Sequence, residues 1–447
     1  MKDNYGIFTN KQLKNMIVPL FFEQLLVMLV GLADTFIITY AGEDAVSGVS
    51  LVNSFSVIFI YIFTALASGG AVVISQYIGK GDKNLASESS SQLLMVSTLI
   101  SVVITALVYL FDVALMRLLF GAVTDAVMDA CLVYLRITAI SFPTLAIYNA
   151  GASLFRSIGN TKITMIISTI SNVINLVGNL VLVLVFKWGV AGVAWPTTIS
   201  RFFSAVVITI LCFNKKLDIF YTVKDIFKWN GKLLRQMLAI AVPNGVENGI
   251  FQLVKVALSS MVAMFGTYQI AANGVAQSIW SLAAVMGAAL SPVFITVIGQ
   301  CMGSGNKDAA VFYMKKLMVI NVIASTVWNI IVLAITPVIL NFNSLEQQTR
   351  DLILVLVIIH NIFNSVALPF SGSLSSGLRA AGDIKFTMIV AIASTIGGRL
   401  VLSYIFAVLM NMGVIGIAYA MCADWCIRGI IYHFRFRSMK WLEFKVI

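Results

Sequence analysis

Polar side chains are scarce in this sequence, and those with chemistry to offer lie inside long apolar runs. Asp34, in Gly31-Leu-Ala-Asp-Thr35, sits deep in the first run. A charge within a membrane span is costly, so it usually faces a cavity, a partner or a transport path. The alternative for Asp34 is an interfacial aspartate held at a helix end. In the fifth run, Asn175 and Asn179 stand four apart on one helical stripe, with Asn172 nearby. Such a stripe turns inward, where it can coordinate a cation or join helices. Glu247 lies a turn beyond Pro243, and Lys255 follows on the same face, so an internal ion pair competes with a proton or substrate role. Asn244, Asn273 and Gln277 make the lining around it rich in amides. His360 falls in mid-run, where a proton relay near its ordinary pKa of about 6.5 stands against a packing histidine. Asp424 and Arg428 are spaced to neutralise each other, with Arg399 as another partner.

The elements that must hold these residues are membrane helices. Of 447 residues, 60% are hydrophobic and 11% charged, with a mean hydropathy of +0.96. Soluble domains carry about 25% charged residues. Met16–Ile38, Val57–Ile78, Gln92–Leu115 and Ile163–Phe186 each approach the ~20 residues of a spanning helix, and similar runs continue to the end. The ~10-residue alternating strands of a transmembrane barrel are absent. Five cysteines without a CxxC pair read as small buried apolar groups. Lys2, Lys11 and Lys14 precede a run too long for the core of a cleavable signal.

Net charge is +11, yet its distribution argues for orientation and against nucleic acid. Lys and Arg crowd every second connection, as at Lys80 and Lys83, Lys215 and Lys216, Lys315 and Lys316, and Arg435 and Arg437. The intervening connections hold only Arg117, Lys187 and Arg350. This asymmetry predicts both termini in the cytoplasm.

The chain also repeats itself. Gln76-Tyr-Ile-Gly-Lys-Gly-Asp-Lys83 returns as Gln300-Cys-Met-Gly-Ser-Gly-Asn-Lys307, and Arg156-Ser-Ile-Gly-Asn-Thr-Lys162 as Arg379-Ala-Ala-Gly-Asp-Ile-Lys385. Pro19 and Glu23 match Pro243 and Glu247, and Gly189-Val-Ala-Gly192 matches Gly413-Val-Ile-Gly416. The separation is half the chain each time. The sequence therefore predicts an all-α membrane protein of twelve helices in two parallel six-helix lobes, 1–213 and 237–447, joined by a polar cytoplasmic linker, 214–236. The glycine-rich Gly-Lys-Gly-Asp-Lys and Gly-Ser-Gly-Asn-Lys segments lack phosphate-loop spacing and read as tight turns.

Twelve spans in two related sextets, Asp34-Thr in the first, paired Gln-xx-Gly-x-Gly turns and Gly-xx-Gly in the sixth resemble the multidrug and toxic compound extrusion (MATE) transporters over essentially the whole chain. The resemblance implies V-shaped lobes that alternate their opening, and exchange of Na⁺ or H⁺ for cationic or amphipathic compounds. It implies that Asp34 couples the cation, joined by Asn175, Asn179 and Thr197, with Na⁺ held at Asp34, Asn175 and Asn179. It also exposes departures. Asn179 stands where many members have an aspartate, Phe251 where many have a glutamate, and Leu368 near the place of another aspartate.

The expected function is thus secondary active efflux in a bacterial inner membrane, with no cofactor beyond the coupling Na⁺ or H⁺. The partners are a small-molecule substrate and membrane lipid, and the chain works as a monomer. The alternative is a flippase for lipid-linked saccharides or other anionic lipids, for which Arg201, Lys255 and Arg399 are available cations. An enzyme is disfavoured, because the two histidines form no metal or acid–base motif.

Overall fold

The computed structural model describes residues 6–341 and 346–447, and among them it is helical throughout, with no strand. Helices are the solution lipid imposes, since each backbone N–H and C=O must find its partner within its own segment. In chain order the elements are α1 (Asn10–Ile38), α2 (Glu43–Lys80), α3 (Lys83–Phe120), α4 (Asp125–Ala139), α5 (Phe142–Ser157), α6 (Thr161–Asn179), α7 (Gly189–Cys212) and the short α8 (Val223–Phe227). They continue with α9 (Gly231–Val262), α10 (Thr267–Ala283), α11 (Val285–Gly303), α12 (Lys307–Asn341), α13 (Gln347–Leu368), α14 (Leu374–Ala380), α15 (Ile384–Ala393) and α16 (Gly413–Arg437). Among the described residues, eleven helices are long and apolar enough to cross a membrane, or twelve when α4 and α5, which meet at 44°, form one span. Leu110, Leu118, Val185 and Ile210 are each at least 65% exposed, as lipid-facing side chains of such helices would be.

The chain divides into two compact units. One is Lys14–Val242; the other joins the residues up to Leu13 to Pro243–Ile447. The N-terminal segment belongs with the second half because Phe8 N–H donates to Tyr313 Oη at 2.9 Å and their rings meet edge to face. The segment expected to link the halves is folded onto the first unit. Gln92 Nε2 donates to Asp225 O at 2.5 Å, Gln92 Oε1 accepts from Asn230 N–H, and Tyr221 is buried.

The doubled motifs produce doubled local structure. Gly81 ends α2 at φ +81°, and Gly305 follows α11 at φ +73°, a left-handed conformation that glycine enters without a Cβ penalty. The next residue then caps the following helix. Asp82 accepts from Leu85 N–H and Asn306 from Ala309 N–H, both at 2.9 Å. The Gly-Lys-Gly and Gly-Ser-Gly segments are therefore turns that end one span and start the next.

The halves differ in length between two of these landmarks. Lys385 to Gly413 holds one residue more than Lys162 to Gly189. Both halves place a π-helical stretch before the glycine, Leu180–Val185 and Tyr404–Leu409, but the second half carries two more, at Pro369–Ser373 and at Ser394–Val401, the latter within the longer segment. A π turn takes in an extra residue without breaking the helix, and such turns concentrate at functional sites.

Candidate functional site

The site in the first unit is assembled by α1, α6 and α7. Asn175 and Asn179 share one face of α6 because four residues make about one turn. Gly178, between them, lets α7 approach closely: a Cβ there would lie 2.7 Å from Pro196 Cβ. The residue after that proline is Thr197. Asp34 comes from the last turns of α1, where the partial negative charge of a helix C-terminus is unfavourable to a carboxylate, and no basic residue occupies that turn.

These four residues meet. Asn179 Nδ2 donates to Asp34 Oδ1 at 2.7 Å. A carboxylate only accepts, so the Asn175 amide is oriented with its nitrogen toward Asp34, 3.0 and 2.9 Å from the two oxygens. Its oxygen then faces the Thr197 hydroxyl at 3.0 Å. Asn179 is fully buried, and its Oδ1 has no hydrogen-bond partner. Asp34 itself makes no salt bridge among the described residues. The charged group nearest in chain position on α7 is Arg201, one turn beyond Thr197, and its Nη1 donates to Ser141 Oγ at 2.9 Å. The result is a half-buried carboxylate held by neutral amides, beside an amide oxygen that lacks a donor. Carboxylate, amide and hydroxyl oxygens suit a hard cation. Among the described residues no three His, Cys, Asp or Glu come together, so the donor set is not that of a transition-metal centre.

The candidates in the second unit do not converge in the same way. Glu247 is bound by Arg379, with Nη2 to Oε1 at 3.1 Å, and Arg379 also donates to Asn244. Lys255 is exposed; eight residues along a helix span about 12 Å, whereas Arg379 reaches Glu247 from α14. Asn273 and Gln277 are half-buried on α10. His360 is 1% exposed, and neither ring nitrogen has a hydrogen-bond partner. Asp424, fully buried, meets Arg399 Nη2 at 2.9 Å and Arg428 Nη2 at 2.8 Å, and accepts from Ser394 Oγ at 2.6 Å.

The Glu247–Arg379 pair has a twin in the first unit. Arg156 Nη2 lies 2.6 Å from Glu23 Oε1, and Thr164 Oγ1 donates to Glu23 Oε2 at 2.9 Å. Both glutamates and both arginines belong to the repeated landmarks, so each half carries the same intramembrane ion pair. The arginines escaped a reading of the sequence because they also stand at cytoplasmic turns, where basic residues orient a membrane protein. A buried ladder in the second unit escaped as well: Asn364 donates to Asn329 Oδ1 at 2.9 Å, Asn329 to Ser325 O at 2.7 Å, and Ser325 to Asn321 at 3.0 Å. Its signal was asparagine recurring in apolar spans.

Comparison with known proteins agrees with this architecture. The MatE family model matches residues 19–181 and 243–405, one copy in each half. The chain is 29% identical over 437 residues to the uncharacterized transporter YisQ of Bacillus subtilis, covering 95% of this chain and 93% of that one. It is 25% identical over 443 residues to the probable multidrug resistance protein NorM of Thermotoga maritima, covering 96% and 93%. A crystal structure of MATE in complex with MaL6 superposes with a TM-score of 0.88 at 19% identity, covering 96% of this chain and 97% of that one. Two matched family copies, the first of which spans Asp34, Asn175 and Asn179, leave one assignment: the chain belongs to the MatE family of membrane transporters.

Proposed function

We propose that this chain is a secondary active exporter of amphipathic or cationic small molecules, driven by a cation, Na⁺ or H⁺, that binds at Asp34. One observation carries the reading. Asp34 is an intramembrane carboxylate with no cationic side chain bound to it among the described residues, while Glu23, Asp112, Glu247, Asp383 and Asp424 each have an arginine. A charge so placed needs neutralisation by a proton or an ion.

The surrounding amides fit such a cycle. With the site free of cation, Asn175 and Asn179 turn N–H groups toward the carboxylate. On Na⁺ entry their oxygens turn to the ion, with Thr197 as a further oxygen donor; on protonation, Asp34 becomes a donor and Asn179 Oδ1 a ready acceptor. Either event rearranges α1 against α6 and α7, and the differential affinity of the two arrangements for cation and substrate provides coupling. The placement is the inner membrane with both termini cytoplasmic, supported by the distribution of Lys and Arg, and the functional unit is a monomer.

The test is uptake of a fluorescent organic cation into inside-out vesicles under separately imposed Na⁺ and pH gradients, comparing wild type with Asp34→Asn. Gradient-driven uptake that disappears in the variant supports antiport and identifies the cation. Equal behaviour of both proteins under both gradients would overturn it. The second reading, a flippase for anionic lipids, then comes forward on the strength of the arginines in the second unit.

A further inference from the structure

The intramembrane charges of the second unit do not balance. Glu247 answers Arg379. Asp424 alone answers both Arg399 and Arg428, and one of its oxygens, Oδ2, receives both guanidiniums. Three guanidiniums therefore meet two carboxylates. The other polar groups packed nearby are neutral: Ser394, whose hydroxyl binds Asp424, the thiols of Cys422 and Cys426, and Tyr432, which donates to Thr387 O at 2.8 Å.

The unmatched groups are clustered. Arg399 is 5% exposed, and its Nε has no acceptor; the Nε of Arg428 and both nitrogens of His360 are likewise without partners. The guanidinium of Arg399 lies over the Phe251 ring at 4.8 Å, which leaves its planar edge as the donor surface. Arg399 sits in the π-helical stretch Ser394–Val401, which has no counterpart in the first half. An extra residue inserted there turns this arginine to a direction that a regular helix would not give it. Buried guanidinium donors without acceptors suit a planar or tetrahedral oxyanion, which they bind by short charge-assisted hydrogen bonds.

We propose that this cluster takes the anionic group, a carboxylate or phosphate, of the transported molecule, so that the substrates include zwitterionic and anionic amphipathic compounds. Arg399 and Arg428 bind the anion, His360 supplies a further N–H, Phe251 flanks the bound molecule, and Asp424 is a positioning residue that holds the two guanidiniums. The transport part of the inference rests on the exporter reading; the binding part does not.

The experiment uses the full chain in nanodiscs and two xanthene dyes of similar shape, anionic fluorescein and cationic rhodamine 123, with binding read by fluorescence anisotropy. Fluorescein is expected to bind, Arg399→Gln to weaken it about tenfold or more without changing rhodamine 123, and Arg399→Lys to recover part of the loss. An unchanged melting temperature for each variant shows that the fold is retained. No fluorescein binding, or equal weakening of both dyes, would overturn the proposal. Repeating the titration in phosphatidylcholine and phosphatidylglycerol discs separates the sources of the anion. Binding that survives in both discs supports a soluble substrate, while its loss in phosphatidylglycerol alone assigns the cluster to a lipid phosphate and removes the substrate assignment. Gradient-driven rhodamine 123 uptake in the same preparation reports on Asp34 independently, so a failed exporter reading and a failed anion site give different patterns.

Discussion

The two halves share a frame and differ in what the frame holds. Each has its proline and glutamate on the first span, its Arg-x-x-Gly turn, and the ion pair these create, Glu23–Arg156 and Glu247–Arg379. Beyond that pair they part. At half-chain separation Asp34 corresponds to Leu258 and Thr197 to Met421. The first unit ends with an unpaired carboxylate among amides, and the second with a surplus guanidinium around a single aspartate. The paired charges are the architecture, and the unpaired ones mark where each half does something of its own.

The largest effect expected from this contrast is on coupling. Asp34→Asn should cut gradient-driven export at least about a thousandfold, to the leak rate, whereas His360→Gln should keep the same ion dependence. Residual coupling in Asp34→Asn would break the contrast, because the cation would then bind elsewhere. Next, Glu23→Gln and Glu247→Gln each strand a buried guanidinium, a loss of about 3 kcal/mol, read as a lower melting temperature in nanodiscs. The two losses should be alike; a silent Glu247→Gln would make the second pair a titratable site and not a strut. A smaller effect sharpens the first unit: Asn179→Asp adds a second carboxylate, and Na⁺ should then bind about tenfold more tightly, followed as a Na⁺-dependent rise in melting temperature. Smallest is Thr197→Val, which removes one hydroxyl and should weaken Na⁺ by about threefold, within the ~1 kcal/mol of one hydrogen-bonding group.

What the sequence revealed followed the strength of each physical signal. Apolar runs, turn glycines and repeated motifs are local, so the helices and the two-fold plan were legible. Asp34 and the Asn175–Asn179 stripe were legible because polar groups are conspicuous in lipid. Thr197 was not, since threonine is ordinary in a helix; only resemblance to a family pointed to it. Partners separated along the chain were harder. Glu247 was matched by helical spacing with Lys255, but its partner is Arg379, more than 130 residues away. Yet the repeat held the answer, because glutamate and arginine recur together in both halves and a pair that returns intact is a pair in contact. The π turn could be read only after comparing matching segments of the two halves, where Lys385 to Gly413 proved one residue longer than Lys162 to Gly189.

The doubled ion pair also bears on how the halves could diverge after duplication. Losing either member strands a buried charge, so any path that exchanges the pair must cross a poorly folding intermediate, and one substitution alone gains nothing. The amides and hydroxyl around Asp34 carry no such penalty and can be exchanged singly. A duplicated chain is thus free to rewrite its sites one residue at a time while its paired charges stay locked, and the lock confines innovation to the places where a new specificity can arise.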